Sequence, residues 1–166
     1  KDLEEVIQQK LDSMLLANPD RINYYERYQQ IIDDYNSEQD RATIEKTFME
    51  LMDLANQMSQ EEQRYVREGF TSDEELSLYD MLFRDDLSKN DIKKLKTAAS
   101  DLLRKIKTKI SELDHWTDKQ ETKAAVDNLI RDTLWAELPE CYDEVSISLY
   151  RQQIYEYVYT RYRVAA

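Results

Sequence analysis

The chain contains a single glycine, Gly69, and two prolines in 166 residues. That scarcity constrains the fold more than any other feature. Sheets joined by tight turns need residues that accept positive φ, and an all-β chain of this length would need them repeatedly. Here apolar periodicities run on without a breaker, so the expected fold class is all-α, a compact multi-helix bundle of about six to eight helices. Residues 67–82 hold the one obvious corner. Gly69 can take the left-handed backbone that ends a helix, and Thr71 or Ser72 followed by Glu74 or Glu75 spells a capping box that starts another.

The other elements follow from apolar spacing. In residues 2–17, Leu3, Val6, Ile7, Leu11, Met14 and Leu15 recur at helical intervals, and Asn18-Pro19 stops that helix. Tyr24, Tyr25, Tyr28, Ile31, Ile32 and Tyr35 form a second face, expected to pack on the first and to break at residues 36–40. A third helix is expected from about residue 40, with Ile44, Phe48, Leu51, Met52, Ala55 and Met58 as its core stripe. Ser59-Gln60-Glu61-Glu62 offers a capping box where this helix either restarts or runs on toward Gly69.

Beyond the corner, Leu76, Tyr79, Leu82 and Phe83 predict a short amphipathic helix ending around residues 84–87, with Ser88 capping the next. Ile92, Leu95, Ala99, Leu102, Leu103, Ile106, Ile110 and Leu113 keep helical spacing through a long basic segment. Thr117 with Gln120 reads as a capping box for a helix carrying Val126, Leu129, Ile130 and Leu134, closed before Pro139. The last helix, from about residue 146, carries Tyr150, Ile154, Tyr155, Val158, Tyr159 and Tyr162. With short connections, no repeat and no low-complexity linker, the sequence predicts one helical domain over residues 1–166.

The formal charge is −12, which as a whole-chain value argues against a surface built to neutralise phosphates. The distribution is uneven. Residues 89–109 hold Lys89, Lys93, Lys94, Lys96, Arg104, Lys105, Lys107 and Lys109 against only Asp91 and Asp101, a local charge of +6 that leaves −18 for the remainder. These eight cations are the candidate nucleic-acid contacts; docking to an acidic protein surface and an ordinary solvated face are the other two readings. The tyrosines, dense in residues 24–35 and 142–162, read first as inter-helix packing. Tyr150 with Arg151, Arg161 and Arg163 has the composition of a protein interface.

Catalytic signatures are missing from the sequence. One His and one Cys, His115 and Cys141, make poor material for a metal centre, and adjacent acidic pairs such as Asp33-Asp34 and Glu61-Glu62 diverge on a helix. His115 is expected at a helix end, and Trp116 and Trp135 as core anchors. Glu121-Thr122-Lys123 spells the E-x-K of a nuclease motif, but that chemistry needs a β-strand and a preceding acidic ligand, and here the triplet opens a helix. No glycine loop exists to cradle a nucleotide's phosphates. No catalytic, cofactor-binding or metal residues are therefore expected. With Cys141 alone no intrachain disulfide can form and nothing suggests an oxidising compartment, so a cytosolic location is the default expectation; no apolar run reaches membrane length, and a chain beginning with Lys1 in mid-pattern is expected to be a piece of something longer.

Several stretches carry a family resemblance. Arg67-Glu68-Gly69-Phe70 followed by Glu74-Glu75-Leu76-Ser77-Leu78-Tyr79-Asp80-Met81-Leu82 resembles the C-terminal region of the restriction (motor) subunit of type I restriction-modification enzymes. Asn18-Pro19-Asp20-Arg21 with Tyr24, Tyr25 and Tyr28, Ile32-Asp33-Asp34-Tyr35-Asn36, the turn at residues 113–116 and Leu138-Pro139 are similar to the same region, in the same order. The resemblance implies a large cytoplasmic bacterial subunit with an N-terminal nuclease, two ATPase domains that translocate DNA and a helical C-terminal part. Only that last part is here. It implies that ATP and Mg are bound elsewhere in the parent, an ATP-dependent site-specific deoxyribonuclease, and that this piece is no enzyme. The implied partners are the methylation and specificity subunits, onto which it docks the motor, with duplex DNA contacted non-specifically through the basic helix. A helical protein-interaction module without DNA contact is the alternative.

Overall fold

The computed structural model describes residues 2–37 and 41–163. Among them are eight α-helices, two 3-10 turns and no strand. The helices are α1 (Asp2–Ala17), α2 (Ile22–Ser37), α3 (Arg41–Glu62), α4 (Arg64–Arg67), α5 (Asp73–Leu82), α6 (Lys89–Glu112), α7 (Gln120–Glu137) and α8 (Glu144–Arg161). Contacts group residues 1–77 and residues 78–166 into two compact units, and the boundary falls inside α5. The expected break at residues 36–40 lies partly outside the described residues, and α2 runs to Ser37.

In the first unit α2 lies mainly along α3, with α1 against both. Ile7, Leu11 and Met14 meet Tyr28 and Ile31 of α2 and Leu51, Leu54 and Met58 of α3. Asn18 ends α1: its buried side chain accepts the Asp20 amide at 3.1 Å, and Pro19 opens a one-turn 3-10 segment. The expected core stripe of α3 needs correction. Ile44, Phe48 and Met52 are 47%, 56% and 42% exposed, and the buried row is Thr47, Leu51, Leu54 and Met58. Leu51 and Met58 belong to either reading, so periodicity alone could not choose between two neighbouring arcs of one helix. Val6 is likewise exposed.

An ion network closes this unit. Arg21, 2% exposed, donates from Nε to Glu61 Oε2 at 2.8 Å and from its two terminal nitrogens to Asp73 at 2.8 and 2.6 Å. Arg64 donates to both oxygens of Glu61, at 2.8 and 3.0 Å. Burial opposes the charge on Arg21, but the bonds to Asp73 and Glu61 more than offset it, and its pKa is raised. Burial alone would raise the Glu61 carboxyl; the bonds from Arg64 and Arg21 prevail and hold it below the usual carboxylate range. Ser59 and Glu62 form no capping box: Lys10 donates to Ser59 Oγ at 3.2 Å and pairs with Glu62 at 2.9 Å, and α3 runs on to Glu62.

The corner at Gly69 forms as its chemistry demands. Gly69 has φ +88°, its N–H reaches the Val66 carbonyl at 3.0 Å, and the Phe70 N–H reaches Tyr65 at 2.8 Å, the double closure that ends a helix through a left-handed residue. Ser72 Oγ accepts the Glu75 amide at 3.2 Å while Glu75 Oε1 accepts the amides of Ser72 and Thr71 at 3.2 and 2.7 Å. Asp73 starts α5 and caps Arg21 in the same step.

In the second unit α7 packs against both α6 and α8. Ser88 and Asp91 form the capping box that opens α6. Trp116 is fully buried, donates from its indole nitrogen to the Tyr162 carbonyl at 2.8 Å, and meets Tyr155 and Tyr159 edge-on. His115 precedes it in the left-handed region at φ 49°, the helix-end position expected. Thr117 and Gln120 form no cap. Thr117 lies in the 3-10 turn Trp116–Asp118, α7 starts without a side-chain cap, and Thr122 donates to the Trp116 and Lys119 carbonyls at 2.5 and 3.0 Å. Two aromatic assignments also change. Trp135 is 63% exposed rather than a core anchor, because it sits opposite the buried row Val126, Ile130, Thr133 and Leu134; Phe83 lies past the end of α5 and is exposed.

Three outcomes test this account. Arg21→Ala should cost about 3 kcal/mol in urea unfolding, the low end for breaking a buried ion pair because Glu61 keeps Arg64. Glu61 has a depressed pKa in the folded chain, so its stabilisation is complete above its unfolded value and is lost as pH falls through the folded one; Glu61→Gln should flatten the acid limb of stability below about pH 4.5. Gly69→Ala meets no atom within 4 Å, so its cost, about 1–2 kcal/mol, should come from the left-handed backbone alone and be smaller for Gly69→Asn.

Candidate nucleic-acid interface

The cations of α6 fall into two rows. A residue advances about 100° around a helix, so spacings of four, three, four, four and three align Lys89, Lys93, Lys96, Ser100, Arg104 and Lys107 along one flank. Lys94, Asp101, Lys105 and Lys109 share a different flank. Between the flanks, on the far side, Leu95, Ala99, Leu102, Leu103, Ile106 and Ile110 are buried. The eight candidate contacts are therefore not one surface.

The second flank is partly neutralised through Lys105. Lys105 reaches Glu137 at the end of α7 at 2.9 Å and Asp101 at 3.1 Å, and these bonds, Glu137 first, raise its pKa. Burial and a hydrogen bond shared with Asp101 push the Glu137 carboxyl up. That same bond, with those from Lys105 and Arg104, holds Asp101 down at about 2. Lys109 is half-buried and Lys94 exposed. Glu137 had no signal in the sequence, since it lies 32 residues from Lys105 and only α6–α7 packing brings them together.

The first flank carries no carboxylate in its own row. Lys89, Lys93, Arg104 and Lys107 are exposed, and Lys96 is half-buried with its Nζ 5.8 Å from the centre of the Tyr79 ring. Arg104 bonds Asp101 from the edge of the row, which reduces its availability. The row from Lys89 to Lys107 rises about 27 Å at 1.5 Å per residue. A straight line of cations that long can follow a strand of phosphates without reading bases.

Charge also separates by unit. Residues 1–77 hold eight Lys or Arg and nineteen Asp or Glu, a formal −11, whereas residues 78–166 hold fifteen and sixteen, a formal −1. The unit that carries α6 is nearly neutral, so its cationic row is not overwhelmed by its own background.

The four expected interface residues lie on α8 and just beyond its end. Tyr150 is half-buried against Tyr142, ring centres 5.7 Å apart, and Tyr142 donates to the Leu82 carbonyl under the guanidinium of Arg84. Arg151 turns toward Asp127 of α7, its Nε buried and 3.6 Å from Oδ1. Arg161 is half-buried in the last turn of α8, and Arg163 lies beyond that helix with its guanidinium 5.4 Å from the Tyr159 ring. Among the described residues no three His, Cys, Asp or Glu converge to hold a metal ion, and no helix is long and apolar enough to cross a membrane.

Comparison with curated proteins and with solved structures gives no match. The family model described as "Type I restriction enzyme HindI endonuclease subunit-like, C-terminal" matches residues 1–154. That span takes in the whole first unit and residues 78–154 of the second, with the Arg21 network, the Gly69 corner and all of α6. The chain belongs to this family, the C-terminal part of a type I restriction endonuclease subunit.

Proposed function

We propose that this chain is the non-catalytic helical end of the restriction subunit, joining it to the methylation and specificity subunits and laying the first flank of α6 along the phosphates of duplex DNA. ATP and Mg are used by other domains of the parent, which perform translocation and cleavage. The observation that carries the DNA half of this reading is the row Lys89, Lys93, Lys96 and Lys107, with no carboxylate in its line, on a unit of formal charge −1. Contact through such a row is electrostatic and independent of sequence, leaving recognition to the specificity subunit. Family membership supports the assembly half, since a subunit of a restriction enzyme works within a complex.

A gel-shift titration of the chain with duplex DNA, with and without the methylation and specificity subunits, separates the two halves. About four phosphate contacts predict binding about 100-fold weaker at about 200 mM salt than at about 50 mM. Replacing Lys89, Lys93, Lys96 and Lys107 by Glu should abolish the shift of the chain alone, while Lys94→Glu with Lys109→Glu should weaken it far less. Equal losses from both variants would count against the row. Failure of the chain to compete with the intact restriction subunit for its partners would sink the assembly half.

A further inference from the structure

The first unit presents an apolar face that its own core does not use. On α3, Ile44, Phe48 and Met52 recur at i, i+4 and i+8, and Met49 lies beside Phe48; they are 47%, 56%, 42% and 69% exposed. At about 1.5 Å per residue this ridge is about 12 Å long. It borders the buried row of the same helix, so it is continuous with the core rather than a scatter of single exposed side chains. Exposed Glu45 and Asp53 flank it on α3, beside Lys46, which pairs with Glu50 at 3.8 Å, and the unit around it has a formal charge of −11.

That charge selects the occupant. A second copy meeting the same face would bring another −11, and an anionic lipid surface would be repelled in the same way. We infer that the Ile44–Phe48–Met52 ridge of α3 is a docking face for an amphipathic helix of a partner protein whose apolar side is bordered by Lys or Arg. Apolar side chains at i, i+4 and i+8 are the spacing one helix offers another, the three residues supply the contact area, and the surrounding carboxylates choose a basic partner and speed encounter. The inference rests on the assembly half of the function proposed above and is independent of the DNA half. Phe48 is the expected anchor, being the only aromatic of the four.

The test uses the full chain and two labelled helical peptides of equal length, one of Leu and Lys and one of Leu and Glu, each patterned so that Leu fills one face. Fluorescence anisotropy should show binding of the Leu–Lys peptide only. Replacing Ile44, Phe48 and Met52 by Gln leaves the charge unchanged and should weaken that binding at least tenfold, with helix content and melting retained by circular dichroism. Hydrogen exchange of the unsubstituted chain should show peptide-dependent protection on α3. Binding indifferent to the Gln substitutions would mean attraction by bulk charge and would overturn the proposal, as would equal binding of the Leu–Glu peptide or protection confined to other helices. Concentration-dependent dimers abolished by the same substitutions would assign the face to a second copy instead. In competition with the intact restriction subunit, a Gln variant that still competes fully removes this face while sparing the assembly reading; a wild-type chain that does not compete removes the assembly reading itself.

Discussion

A buried guanidinium governs the first unit. Arg21 leaves α1 behind through Asn18 and Pro19 and then binds the end of α3 through Glu61 and the start of α5 through Asp73. Three chain segments separated by 40 and 52 residues are thereby fixed on one planar group. An ammonium could not replace it, because the geometry uses Nε for one carboxylate and both terminal nitrogens for the other. The network also explains the corner. Gly69 turns the chain so that Asp73 arrives at Arg21, and Ser72 and Glu75 lock the first turn of α5 in that position. Architecture in this unit is set by charge as much as by apolar burial, which is unusual for ions so well removed from water and works because each donor has its acceptor.

The second unit is organised differently. Its centre is aromatic: Trp116 between Tyr155 and Tyr159, and Tyr142 between Tyr150 and Arg84. The polar tips of these rings find backbone carbonyls, Tyr162 for Trp116 and Leu82 for Tyr142, so large side chains are buried without stranding a donor. Burial pushes the Tyr142 phenol well above the usual range. α6 contributes a continuous apolar side to this unit and two cationic flanks, one of which is joined to α7 through Lys105 and Glu137.

Much of the fold was legible because helical spacing and breakers are local. Asn18-Pro19, Ser88, and Gly69 with Ser72 and Glu75 each mark a boundary through backbone chemistry that needs no tertiary information. What failed was the choice of side. Trp135 drew a core assignment from its residue type although its position opposes Val126 and Ile130, and α3 offered two adjacent apolar arcs of which the unit buries one. The basic helix was legible as a helix and as a cluster of cations. The pairing of Lys105 across helices was not, because its partner Glu137 belongs to α7. The Arg21 network was equally hidden, since sequence gives no sign that Glu61 and Asp73 share an arginine.

The two tryptophans differ in a way that makes the molecule its own reporter. Trp116 is sealed from water and Trp135 stands 63% exposed, and both lie in residues 78–166. Light that excites indole alone therefore samples only the second unit, as one blue-shifted, quencher-protected emitter and one red-shifted, quencher-accessible emitter. The first unit contains tyrosine but no indole, so its loosening is silent in that signal. Acrylamide quenching of the exposed ring, set beside a far-ultraviolet measure of total helix, would thus distinguish events in one half of the chain from events in the other without any label.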